Sequence, residues 1–152
     1  MSTRCQVNVK AEGLNWETEG VTLYHHCDGY PSNMLPLIAE AMSIGSSWQL
    51  GRPRKAASFL CASDPGQFEP EAGHDLHGDI EFFYQIWCVN PKGGTINDDC
   101  TWEVQVFVPI KGFWGAPDME HLHPITERMS VSLAAEQAEE IEKAAWPDEE
   151  EE

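Results

Sequence analysis

Basic residues are scarce in this chain. Nine Lys and Arg stand against 26 Asp and Glu, a formal net charge of −17 over 152 residues. That shortage argues against direct nucleic-acid binding, because affinity for a phosphate backbone comes from Lys and Arg displacing counterions. It argues equally against an anionic membrane surface. The trio Arg52, Arg54 and Lys55 is too small to offset such a field, and suits a helix start or pairing with acidic surface. Long apolar runs are missing as well. None approaches the roughly 20 residues that a bilayer-crossing helix needs. The opening stretch MSTRCQVNVKAEG has no apolar stretch of the signal-peptide kind, so no secretory signal is expected.

Cysteine is sparse and unpatterned. Cys5, Cys27, Cys61, Cys88 and Cys100 are odd in number and contain no Cys-x-x-Cys pair. Neither a disulfide framework nor a zinc ribbon follows, and reduced thiols in a cytoplasm are expected. Three catalytic or nucleotide signatures are absent too: Gly-x-Ser-x-Gly, Gly-x-x-x-x-Gly-Lys-Ser/Thr and His-Glu-x-x-His. Their absence removes a serine nucleophile elbow, a phosphate-cradling loop and a helical zinc site from the sequence-level candidates.

What is present is a foldable chain. Apolar residues make up 41% and include six Trp, which suits a globular protein with its own core. Residues 1–147 are expected to form one α+β domain, and 148–152, Asp-Glu-Glu-Glu-Glu, a disordered acidic tail. The acidity is uneven. From Asp118 to Glu152 there are 12 acidic and 2 basic residues, a net of −10, which leaves −7 for residues 1–117.

Hydrophobic spacing outlines the elements. Cys5, Val7 and Val9 alternate with polar residues, as do Val21, Leu23, His25 and Cys27, and the two runs predict an antiparallel hairpin. A helix is predicted from an Asn33 N-cap, with Pro36 at its third position, Leu35, Ile38, Ala39 and Met42 on its core face, and Gly45 as its stop. Residues 53–62 predict a second, short helix, and 64–78 a polar loop. The stretch 79–89, DIEFFYQIWCV, is apolar on both faces and reads as a central strand. Lys92-Gly93-Gly94 marks a turn before a strand over 101–110, and 132–146 predicts a helix capped by Ser132 and ended by Pro147. The order β-β-α-α-β-β-α predicts an antiparallel sheet of about four strands with two or three helices on one face.

Histidine is the first candidate for chemistry. The six occur as His25-His26, His74-x-x-His77 and His121-x-His123, with Asp28, then Asp75 and Asp79, then Glu120 nearby. A divalent metal would take neutral imidazoles and a carboxylate from such clusters, which makes His25, His26, Asp28, His77 and Asp79 the candidate ligands of a metal-dependent hydrolase or nucleotide-processing enzyme. Strand alternation sends His25 and His26 to opposite faces, and leaves His26 and Asp28 on the same one. Apart from such a metal, no cofactor is expected.

Two stretches together, LYHHCDGYPSNMLPLI at 23–38 and HGDIEFFYQIWC at 77–88, resemble small proteins carried by phages and prophages. Those proteins have a Tyr-x-His-x-Asp-Gly-Tyr-Pro stretch before a helix and a Gly-Asp-Ile-Glu-aromatic strand further on, and no activity is established for them. The resemblance leaves out the second half of the chain. It implies a mobile-element protein acting in the cytoplasm of a bacterial host. Small acidic proteins of that origin often block host defence, as anti-CRISPR proteins or as DNA mimics. The expected function is therefore an inhibitor that binds a basic host protein or ribonucleoprotein complex through Asp118, Glu120, Glu136, Glu139, Glu140 and Glu142, with Trp114 as an aromatic anchor. Lys143 interrupts that acidic stripe. A phage accessory protein whose sheet forms a homodimer is the third expectation.

Overall fold

The computed structural model describes residues 3–12, 20–43, 53–71, 76–77, 79–89, 101–110 and 122–145. The turn at Lys92-Gly93-Gly94, the helix stops at Gly45 and Pro147, and the acidic tail lie outside these residues. Among the described residues the chain is α+β, with strands β1 (Cys5–Glu12), β2 (Val21–His25), β3 (Phe68–Pro70), β4 (Phe82–Val89), β5 (Thr101–Pro109), β6 (Leu122–Pro124) and β7 (Met129–Ser130). Four helices accompany them: α1 (Pro31–Met42), α2 (Pro53–Ser63), α3 (Val131–Glu136) and α4 (Ala138–Ala145).

The sheet is seven-stranded and mixed, in the order β3-β2-β1-β4-β5-β6, with β7 also pairing β5. This corrects the expected antiparallel sheet of about four strands. The β1–β2 hairpin is antiparallel, with Cys5 opposite His25, as the alternation predicts. β4, however, joins the other side of β1 in parallel, with Cys5 opposite Phe82 and Val9 opposite Ile86. A parallel neighbour requires a long crossover. The excursion through α1, α2 and β3 supplies it and carries the chain back to the open side of β1. The remaining differences are three short strands, β3, β6 and β7, each too brief to produce an alternating signal.

One face of the sheet carries the main core. Cys5, Val7, Val9, Leu23, Phe82, Tyr84, Ile86, Trp102, Val104 and Val106 pack with Leu35 and Ile38 of α1, Ala56 and Leu60 of α2, Val131 and Ala134 of α3, and Ile141 of α4. Each large apolar side chain buried there contributes about 1.5–3 kcal/mol. β4 is apolar on both faces because it is central, between β1 and β5. On its opposite face Phe83 joins a smaller cluster with Tyr24, Leu76, Ile80 and Leu122. That second face also buries Gln6, Asn8, Thr22 and Gln85. The Asn8 amide donates to Thr22 Oγ1 at 2.9 Å, and Gln85 Nε2 donates to Asn8 Oδ1 at 2.8 Å. The polar half of β1 is thus an interior hydrogen-bonded row and not a solvent face.

Helix boundaries differ from expectation at both caps. α1 begins at Pro31, whose fixed φ suits the first helical position, and Tyr30 is an N-cap without a side-chain bond. Asn33 lies inside the helix, where its amide donates to the Asp28 carbonyl at 2.8 Å. Pro36 is consequently at the sixth helical position and not the third. The C-terminal helix is broken at Gln137, and its N-cap is Ser130, whose Oγ accepts from Leu133 N at 3.2 Å, not Ser132. Ser130 takes that role because β7 delivers it in extended conformation beside β5.

Candidate functional site

β2 ends at His25, and its last residues divide the histidine chemistry between two faces. His25 points into the helix-covered face and is fully buried. Its Nε2 bonds Asp64 Oδ2 at 2.8 Å, its ring meets the edge of Phe68 at 4.5 Å, and its Nδ1 is buried without a partner. Tyr24 points to the other face, where a polar cluster surrounds its ring. The Tyr24 hydroxyl donates to Asp79 Oδ2 at 2.7 Å, and Arg4 Nε lies 3.6 Å from the same oxygen. The His77 ring lies against the Tyr24 ring at 4.4 Å, tilted by 31°, and the His26 ring meets it edge-on at 4.8 Å.

Each of these two imidazoles is held by a glutamate. His26 Nε2 bonds Glu69 Oε1 at 2.9 Å, and His77 Nε2 bonds Glu71 Oε1. The His77 backbone N–H donates to Gln6 Oε1 at 2.9 Å, which fixes this short segment over the sheet. Burial of Tyr24, followed by its hydrogen bond to Asp79 and that carboxylate's charge, pushes its pKa up to about 12. Tyr24 is therefore a protonated donor at neutral pH. Two half-exposed histidines, each oriented by a carboxylate, thus flank a buried phenol.

The expected metal constellation is brought together only in part: His26, His77 and Asp79 gather at Tyr24, and His25 and Asp28 do not join them. His25 faces the helices, whereas His77 and Asp79 meet on the opposite side at Tyr24. The pairing of His26 with Asp28 fails because the strand stops at His25, so alternation does not continue. Asp28 adopts a left-handed turn with φ of 58°, and Glu69 takes His26 instead. Among the described residues no three His, Cys, Asp or Glu side chains form a group that could hold a metal. His74, Asp75, Glu120 and His121 lie outside the described residues, and His123 is exposed on β6.

Of the expected acidic contact residues, Glu136, Glu139 and Glu140 are exposed on α3 and α4. Glu142 is turned inward, where its Oε1 accepts from the Ser32 backbone N–H at 2.9 Å. It supplies the cap that Tyr30 does not. Trp114, Asp118 and Glu120 lie outside the described residues. Sequence reasoning missed Asp64, Glu69 and Glu71, the carboxylates that hold the histidines. The available signal was Phe-Glu-Pro-Glu at 68–71, alternating acids around a proline, which is how an edge strand is written.

The stretches 23–38 and 77–88 meet in space, through Tyr24 with Asp79 and through the Tyr84 hydroxyl, which donates to the Gly29 carbonyl at 2.6 Å. Comparison with protein-family models, curated proteins and solved structures finds no match to this chain.

Proposed function

We propose that this chain is a non-enzymatic binding protein whose acidic face occupies a Lys/Arg-lined site on a partner. Following the phage resemblance, the partner is a host defence ribonucleoprotein such as a CRISPR effector, and the acidic face takes the place of nucleic acid. The observation that supports this most is the exposure of Glu136, Glu139 and Glu140 together on the outer side of the C-terminal helices, while Ala134, Ala138 and Ile141 of the same segment are buried. In a chain of −17 that surface attracts a basic groove and accelerates encounter with it.

The test is retention of a purified effector ribonucleoprotein by the immobilised protein across a salt series. Affinity is expected to fall steeply between roughly 50 and 300 mM salt, since exposed charges are screened over about 8 Å at physiological ionic strength. Glu136→Gln, Glu139→Gln and Glu140→Gln together are expected to weaken binding at least about tenfold, or roughly 1.4 kcal/mol. Binding indifferent to both changes sinks the mimicry reading. A metal-dependent hydrolase receives less support, because His25 and Asp28 are held apart from His77 and Asp79. Metal analysis of purified protein distinguishes the two readings.

A further inference from the structure

The described histidines are His25, His26, His77 and His123, and three of them bond carboxylates in one eight-residue segment, 64–71. Asp64 takes His25, Glu69 takes His26 and Glu71 takes His77, so every acid of the segment is engaged. Two pairs hold the end of β2, His25 on the helix face and His26 on the Tyr24 face, and the third ties the segment to His77, which lies against Tyr24 on that second face. In a chain with 26 acids, convergence on this one segment calls for a reason.

Other ties are few. β3 contributes three residues to the ladder, and one of them, Pro70, has no N–H to donate. The flanking backbone bonds are His26 N–H to the Gln67 carbonyl at 3.1 Å and Glu71 N–H to the Thr22 carbonyl at 2.9 Å. Phe68 is the segment's one buried side chain, while Pro65, Gly66, Glu69 and Pro70 are exposed. His25 Nδ1 is buried with no hydrogen-bond partner among the described residues.

We infer that residues 64–71 are a strap, closed along the β2 edge by clasps to His25 and His26 and by a third to His77, and able to open as a unit while the rest of the sheet stays folded. Segments with few buried apolar contacts and exposed hydrogen bonds open ahead of global unfolding. Opening releases His26 and His77 from their glutamates and turns β2 into a free strand edge, a surface that pairs readily with another extended chain.

Amide hydrogen exchange on the full chain tests this. The N–H groups of His26 and Glu71, both bonded across the strap, are expected to exchange together and at least about tenfold faster than those of β1 and β4. Glu69→Ala with Glu71→Ala is expected to raise exchange at His26 and Glu71 several-fold further, with β4 rates unchanged. Exchange of these two amides at the rate of the β4 core in the unmodified protein overturns the proposal. So does a double variant whose strap amides keep their original rates.

Discussion

Tyr24 shows how much of this chain's chemistry is decided by the surroundings of a single side chain. An ordinary tyrosine ionises near pH 10, yet burial and the Asp79 carboxylate push Tyr24 up to about 12. The other two tyrosines are raised as well, Tyr84 by burial and Tyr30 first by the charge of Asp28. The folded state favours each protonated phenol, so their contribution to stability is complete below pH 10 and is lost as pH rises towards the folded values. Alkaline titration of the phenolate band is expected to run above that of the denatured chain, with all three residues ionising near pH 10 in denaturant. Tyr24→Phe removes the component near pH 12. An unshifted folded titration contradicts the closed Tyr24–Asp79 contact.

Among the elements, α1 is the one whose sequence and structure disagree most usefully. Its apolar spacing at Leu35, Ile38 and Met42 was legible, and all three are buried. Its start was not, because the residue that caps it, Glu142, lies 110 positions away on α4. No local pattern announces a cap borrowed from another helix. The same residue reads in the sequence as part of an acidic surface stripe, and the two assignments predict opposite results. Glu142→Ala is expected to lower the denaturant-unfolding free energy by about 1 kcal/mol, within the usual range of about 0.5–2 for a lost N-cap. A stability unchanged within error, accompanied by weaker partner binding, returns Glu142 to the surface face. The hidden edge elements have the same cause. β3 was invisible as a strand because three residues cannot alternate convincingly, and the partners of His25 and His26 sit 39 and 43 positions away.

At the scale of the whole molecule, the α+β class and the central place of β4 were legible because a strand apolar on both faces has to be covered on both. The mixed topology was not, since alternation gives the faces of a strand and says nothing of which edge meets which neighbour. Charge makes its own prediction here. A net −17 repels itself within the folded state. Raising salt from roughly 10 to 300 mM is therefore expected to raise the thermal midpoint by a few degrees, while the same change weakens binding to a basic partner. Opposite signs for stability and binding separate self-repulsion from partner attraction. A midpoint that falls with salt contradicts the first.

The parallel pairing of β1 with β4 also sets a timetable for biosynthesis. Asn8 and Gln85, hydrogen-bonded neighbours in the finished sheet, are 77 positions apart. At about 5–20 residues per second, the ribosome needs roughly 4–15 s to deliver the second after the first. Once β2 has been made, and until β4 arrives, the nascent hairpin of β1 and β2 keeps the β4-facing edge of β1 unpaired, a time in which a chaperone has something to hold.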